Sequence, residues 1–429
     1  MEIDPGSLKQ AAREGTPQSA SLFKRLRAAW PQGGVYRDTY GTGEGRAHEL
    51  VRATADAQGL QTSVDFAGNL YMTLPGRDRT APSWLTGSHL DSVPDGGNFD
   101  GAAGVVAGLH ATATLQRLEV TPDRDITVMA IRGEESSSWY EGDFDGHMGS
   151  RAALGRLAAG ELRRALRIDS GRSMYEAMQA TGCRPEEAEA GARAIESARC
   201  HGFLELHIEQ GPVLVERKRP LGIVTGIRGS SRARNARCLG EYAHSGAVPH
   251  EYRKDAALAT VEFCWRMDQA WSGARAQGKD LVFTVGRLCT DAAAHSLTKV
   301  PGEVNFSVDL RSQDLTTLNE LTATALEIAA DVTAKRGVSL DLGKFNLSPP
   351  ARMDPALVRS LSAGAAALEI ESIAMPSGAG HDAQDFAAAG IPTAMIFVRN
   401  EHGSHNPDEA MDIDDFTLGV ELLTWQLLQ

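Results

Sequence analysis

Apolar residues recur along this chain with two different periods, and the change of period marks out its elements. In the run 45–59, Ala47, Leu50, Val51 and the methyl-bearing Thr54 fall on one side of a helical wheel, which predicts a helix. A second amphipathic helix is predicted over 19–30, stopped by Gly33 and Gly34. Residues 62–74 alternate in the manner of strands, with a turn at Gly68 and Asn69. Three short apolar runs, 83–89, 126–131 and 203–208, read as buried strands, and each ends in polar residues. The small-residue run GAAGVVAGLHATATLQRL after Asp100 predicts a helix. Strands alternating with helices predict an α/β layer with a largely parallel sheet. Sites in such sheets gather beyond the carboxyl ends of the strands.

The pattern changes after residue 221. Strands are predicted at 221–227, 236–242, 281–288, 302–310 and 338–342, with helices at 255–271 and 316–336. This order predicts an inserted α+β unit over 222–346, with helices on one face of an antiparallel sheet. A helix at 355–368, a strand at 392–398 and a helix at 413–428 restore the α/β character. The catalytic layer is therefore expected over 1–221 and 347–429.

A chain of 429 residues is long for a single core, in keeping with two domains. Its net charge of -13 argues against nucleic acid as a partner, because phosphate binding needs concentrated Lys and Arg. The five cysteines, Cys183, Cys200, Cys238, Cys264 and Cys289, form no CxxC pair, which argues against a thiolate zinc site and fits a reducing compartment. The polar N-terminus lacks the apolar core of a signal peptide, and no apolar run is long enough to span a bilayer, so a cytoplasmic location without membrane contact is expected.

Candidate chemistry clusters at the predicted strand ends. His89 and Asp91 close the 83–89 strand, and a Gly-rich loop leads on to Asp100. Imidazole and carboxylate donors in this pattern suit zinc, manganese or cobalt, although a polar turn would read the same way. Glu134 and Glu135 follow the 126–131 strand, and two adjacent carboxylates are costly to bury without a cation. One of them could bind metal while the other carries a proton. His207 lies within an apolar strand, where a satisfied core histidine is the alternative. His381 and Asp382 follow a glycine turn, and His402 and His405 sit on a loop after the 392–398 strand. No G-x-S-x-G elbow, phosphate loop or dinucleotide turn is present, so a serine nucleophile or a nucleotide cofactor has no support.

Taken together, GSHLDSVPDGGNFDG, the Glu pair, LELHIEQGPVL, HSGAVPHEYRKDA, VPGEVNFSVDLRS, SGAGHDAQDFA and HGSHNPDEAM resemble the dinuclear-metal peptidase family M20. The nearest branch is the hydantoinase/carbamoylase group, which includes N-carbamoyl-L-amino-acid hydrolases, β-ureidopropionases and allantoate amidohydrolases. The resemblance implies a phosphorylase/hydrolase-like zinc-exopeptidase catalytic domain with an inserted ferredoxin-like lid and dimerisation domain, working as a homodimer. It implies two divalent metal ions, with His89 and His207 on one, Glu135 and His405 on the other, and Asp100 bridging. Glu134 would be the general base, Asp91 would orient His89, and His244 would stabilise the developing oxyanion. Arg311 would grip a substrate carboxylate, with Gln210 and His381 lining the pocket.

Three places depart from the branch's pattern: Thr298 stands where an Asn is usual, RGEESSSW replaces D-E-E-G-x-R-F, and HGSH replaces G-I-S-H. The metal residues are untouched by these changes. The implied reaction is hydrolysis of an amide or ureido C–N bond in a small carboxylate-bearing molecule. The altered positions leave open deamination of an aryl amine such as an aminobenzoate. A dipeptidase is a third reading, and a binding protein on the same scaffold is a fourth.

Overall fold

The computed structural model describes residues 3–429. The chain forms two compact units, one comprising the segment up to Thr225 together with Arg352–Gln429, the other Gly226–Ala351.

The first unit is built on a sheet whose strands lie side by side in the order Gln61–Val64, Leu70–Leu74, Ile126–Ile131, Ser83–His89, Cys200–Ile208, Thr393–Val398 and Leu221–Ile227. The four strands from Ile126–Ile131 to Thr393–Val398 run parallel. The flanking strands run antiparallel, so the sheet is mixed rather than largely parallel. For the first pair of strands connection length gives the reason, because parallel neighbours need a crossover of a dozen or more residues. Gln61–Val64 reaches Leu70–Leu74 through a tight turn in which Asp65 accepts the N–H groups of Ala67 and Asn69. The strand Leu221–Ile227, expected in the inserted unit, pairs instead through Leu221–Val224 with Thr393–Val398 in this sheet.

The helix Ala102–Arg117 is buried along most of its length, which its small-residue composition allows. A Cβ on Gly104 would lie 2.4 Å from the Leu206 carbonyl oxygen, and one on Gly108 would lie 2.5 Å from a Val128 methyl. These two glycines let the helix press onto the sheet. Helices Pro5–Arg27 and Ile413–Leu427 pack against it. The first begins far earlier than the sequence suggested and stops at Arg27. Asp4 caps it, and Leu8, Ala11, Ala12, Gly15, Ser19 and Leu22 carry its buried stripe past Pro17. Lys9, Gln10, Arg13 and Glu14 dilute the apolar signal in that first half.

Residues 139–200 gave no predicted elements. They form short helices including Met148–Ala153, Glu161–Arg164 and Met174–Ala180, around a small core of Tyr140, Met148, Leu162, Met174 and Met178. Arg151 grips Glu161 through two bonds of 2.6 and 2.8 Å.

The second unit has an antiparallel sheet in the order Val282–Thr284, Glu303–Ser312, Gly229–Leu239 and Ser339–Asp341. Val304, Phe306, Val308 and Leu310 alternate into its core, where residues of both Ala256–Ala276 and Leu315–Arg336 cover them. The strand expected over 281–288 is two strands, Val282–Thr284 and Leu288–Thr290, that pair in turn with Glu303–Ser312. Between them Arg287 turns to exchange bonds with Ser307. All five cysteines are free thiols. Among the described residues, no helix is long and apolar enough to cross a membrane.

Because Gly104 faces a backbone carbonyl that cannot swing aside, Gly104→Ala should cost about 1–3 kcal/mol of overpacking. A urea titration followed by circular dichroism should show the lower midpoint.

Candidate metal centre

Neighbouring parallel strands bring the first two candidate ligands together. His89 is the last residue of Ser83–His89, and His207 is the penultimate residue of Cys200–Ile208. Their ring centroids lie 5.7 Å apart at the carboxyl edge of the sheet. Asp100 is returned to this edge by the loop that follows His89. The buried Arg37 guanidinium staples that loop by donating to Leu90 O at 2.7 Å and to Asn98 Oδ1 at 3.2 Å. Glu409 completes the return by accepting the N–H groups of Phe99 and Asp100. Gly101 follows with φ +65, and a Cβ there would sit 2.4 Å from the His89 ring, so only glycine lets the loop close.

Asp100 is the hub of the resulting cluster. Its Oδ1 lies 3.2 Å from His207 Nε2 and 3.5 Å from His89 Nε2. Its Oδ2 lies 3.4 Å from His405 Nε2, and the same nitrogen is 2.9 Å from Glu135 Oε1. Gln210 donates to Oδ2 at 2.8 Å and Ser404 at 2.5 Å, whereas the buried Oδ1 has no hydrogen-bond partner.

The opposite nitrogens of the two buried rings are anchored on backbone carbonyls. His89 Nδ1 lies 3.0 Å from Asp91 O, and His207 Nδ1 lies 2.9 Å from Ile208 O. A carbonyl only accepts, so each Nδ1 carries a proton, and in the neutral ring Nε2 presents a lone pair. Gly101 N–H donates to His207 Nε2, as a lone pair there requires. The Nε2 atoms of His89 and His207 thus converge on Asp100 Oδ1, the carboxylate oxygen that has no hydrogen-bond partner. A cation fits this donor set: two groups that share Asp100 could hold one, His89, Asp100 and His207, and Asp100, Glu135 and His405, and His207 also enters a third such group with Glu205 and His381.

The electrostatics describe the same demand for positive charge. Hydrogen bonds to Asp100 and Glu135 push His405 up to about 11. Burial lifts Glu135 to about 7 despite its bond to His405. Burial would also raise Glu134, but when His89 and His147 are protonated their charges outweigh it and bring this carboxyl down to about 2. A metal ion held by these groups would therefore compete with protons for them.

Asp91 does more than the sequence suggested. Its carbonyl holds His89, while its carboxylate accepts Glu134 N–H at 3.2 Å, Glu135 N–H at 3.0 Å and the Thr39 hydroxyl at 2.5 Å. It thereby fixes the histidine and the Glu pair together. His381 stacks edge-on to His207 with centroids 4.5 Å apart, and its Nε2 shares a hydrogen bond with Ser377 Oγ. Burial, followed by the neighbouring His207, pushes it well below the ordinary histidine range.

His244, Thr298 and Arg311 belong to the second unit. His244 pairs in register with Lys299, its Nδ1 accepts the N–H groups of Gly246 and Ala247, and the next residue, Ser245, donates to Thr298 O. Arg311 pairs with Asp309 at 3.0 Å.

Sequence reasoning missed Arg37, His147, Glu205, Asp385 and Glu409. Glu205 alone had a signal in the pattern, since it shares a strand face with His207 two residues on. It is fully buried, accepting from Ser88 at 2.6 Å and from Ala383 N–H at 2.8 Å.

Residues 85–427 match the family model for peptidase family M20/M25/M40. An N-carbamoyl-L-amino-acid amidohydrolase of Paenarthrobacter aurescens is 34% identical over 418 residues, covering 97% of this chain and 98% of its own. The allantoate amidohydrolase of Escherichia coli (strain K12) is 32% identical, with 98% of each chain covered. The crystal structure of a hydantoinase/carbamoylase family amidase from Burkholderia multivorans superposes with a TM-score of 0.87 at 28% identity, covering 96% of this chain and 97% of that one. By sequence and by fold, this chain belongs to peptidase family M20/M25/M40.

Proposed function

We propose that this protein hydrolyses the ureido or amide C–N bond of a small carboxylate-bearing molecule, of the N-carbamoyl amino acid kind, at a centre holding two divalent cations. The observation that carries this reading is the position of Asp100, whose two oxygens serve two separate His/carboxylate groups. Zinc, manganese or cobalt would suit these donors. Such ions polarise the substrate carbonyl and lower the pKa of a water molecule.

Glu134 supplies the proton chemistry. It belongs to neither ligand group, yet its Oε2 lies 3.8 Å from His89 Nε2, beside the centre. Its carboxylate accepts a proton as water adds to the carbon, then returns it to the nitrogen as the C–N bond breaks. With an N-carbamoyl amino acid the products are the free amino acid, ammonia and carbon dioxide. Gln210 and His381 line the pocket around this reaction. Arg311, His244 and Thr298 enter the proposal through the family resemblance. So do a lid and dimerisation role for the second unit, a homodimeric state and a cytoplasmic location. A planar guanidinium at Arg311 suits two-point contact with a carboxylate.

Glu134→Gln should lower kcat by about 10²–10⁴-fold while elemental analysis finds the metal content unchanged. Loss of metal together with activity would instead make Glu134 a ligand. Chelation should abolish hydrolysis, and zinc, manganese or cobalt should restore it; full activity in metal-free enzyme would sink the proposal. The substrate class is tested by offering the metal-loaded enzyme N-carbamoyl amino acids, ureido acids, dipeptides and aminoaryl acids. Equal release of ammonia and carbon dioxide from the first two is expected. Ammonia alone from an aminoaryl acid would point to deamination. Arg311→Lys should raise KM for a carboxylate substrate by about tenfold with little change in kcat.

A further inference from the structure

His147 lies outside both metal-ligand groups, between two carboxylates. Its Nδ1 is 2.9 Å from Asp385 Oδ2, and its Nε2 is 3.3 Å from Glu134 Oε1. We propose that His147, braced by Asp385, is a positioning residue that anchors one oxygen of Glu134 and leaves the other free for proton transfer. The proposal rests on the reading of Glu134 as the general base.

The seat of this ring is built by three separate features. First, the backbone of residues 147–149 runs alongside that of the Glu134 loop: His147 N–H donates to Glu134 O, Met148 N–H to Gly133 O, and Gly149 N–H to Arg132 O. The imidazole and the carboxylate it meets therefore move as one. Second, His147 holds φ +56, a left-handed conformation uncommon for a residue with a Cβ. Third, Gly380 leaves the space the ring fills, since a Cβ there would come within 3.0 Å of His147 Nε2.

Donor chemistry fixes the direction of the effect. Carboxylates accept, so a ring bonded to two of them carries a proton on each nitrogen and is cationic. Burial opposes that charge, but Glu134 and Asp385 outweigh it and hold His147 well above the ordinary histidine range. The two oxygens of Glu134 then differ, with Oε1 held by His147 and Oε2 turned toward His89. An anchored carboxylate starts in the geometry it needs for proton transfer, which is an effect on kcat rather than on substrate binding.

The test separates the two ring nitrogens. His147→Phe removes both donors, His147→Gln places an amide N–H near the Nε2 position, and His147→Asn places one near Nδ1. His147→Phe should lower kcat by about 10–100-fold, with KM, metal content and melting temperature close to wild type. His147→Gln should recover much of the loss, whereas His147→Asn should behave like His147→Phe. Asp385→Asn should lower kcat in the wild-type background and have no further effect in His147→Phe, as expected of a residue that acts through His147. Unchanged kcat in His147→Phe, equal recovery by Gln and Asn, or additive losses in the double variant would each overturn the proposal. A substrate-free measurement keeps it distinct from the proposed reaction. In protein labelled with ¹⁵N-histidine, both ring nitrogens of His147 should shift on Glu134→Ala and on Asp385→Asn. A ring indifferent to either change would overturn the proposal even if the proposed hydrolysis is observed, and shifts without hydrolysis would count against the reaction alone.

Discussion

A carboxylate buried among imidazole lone pairs cannot stay uncompensated, and Asp100 imposes that constraint on the whole first unit. An unpaired charge withdrawn from water costs several kcal/mol even after the protein relaxes. The fold spends its polar groups on this single side chain. Arg37 and Glu409 fold the loop so that the carboxylate arrives at the strand ends. Gln210 and Ser404 satisfy Oδ2. Oδ1, faced by His89 and His207, is left without a hydrogen-bond partner. Cations would resolve the resulting convergence of acceptors, and without them protons on the imidazoles must do so.

The sheet explains why the candidate ligands meet where they do. His89 and His207 lie on adjacent parallel strands that end together, while Glu135 and His405 come from loops that leave the same edge. Ligands carried on rigid strands vary little in position, which a metal site needs. The tight seat of Ala102–Arg117, made by Gly104 and Gly108, bears on the same place because this helix begins directly after Asp100 and Gly101.

Two adjacent glutamates come to differ through their surroundings. Asp91 clamps both of their backbone N–H groups, so their side chains leave the loop in fixed and different directions. Glu135 meets His405, whereas Glu134 meets His147 on one oxygen and faces His89 with the other. One therefore enters a ligand group and the other stands beside it. A second set of charges, Asp385 and His147, supports that division from outside the metal cluster.

Local pattern made much of this legible without coordinates. The apolar runs ending at His89, Ile131 and Ile208 identified buried strands, and the polar residues at and beyond their ends include those that cluster in space. Those signals are local, because a strand's period and its terminus are written in consecutive residues. The motif order then supplied the family. Tertiary structure decided what depends on distant pairing. Leu221–Ile227 joined the first sheet because its partner, Thr393–Val398, comes some 170 residues later, beyond the reach of any periodicity. The first half of Pro5–Arg27 became helix because a buried stripe found a surface to cover, although its sequence reads as polar. Arg37, Glu409, His147 and Asp385 escaped notice because each is an ordinary charged residue in its own segment. Their roles follow from contacts across 61, 310, 13 and 238 positions of chain, and only the fold closes those distances.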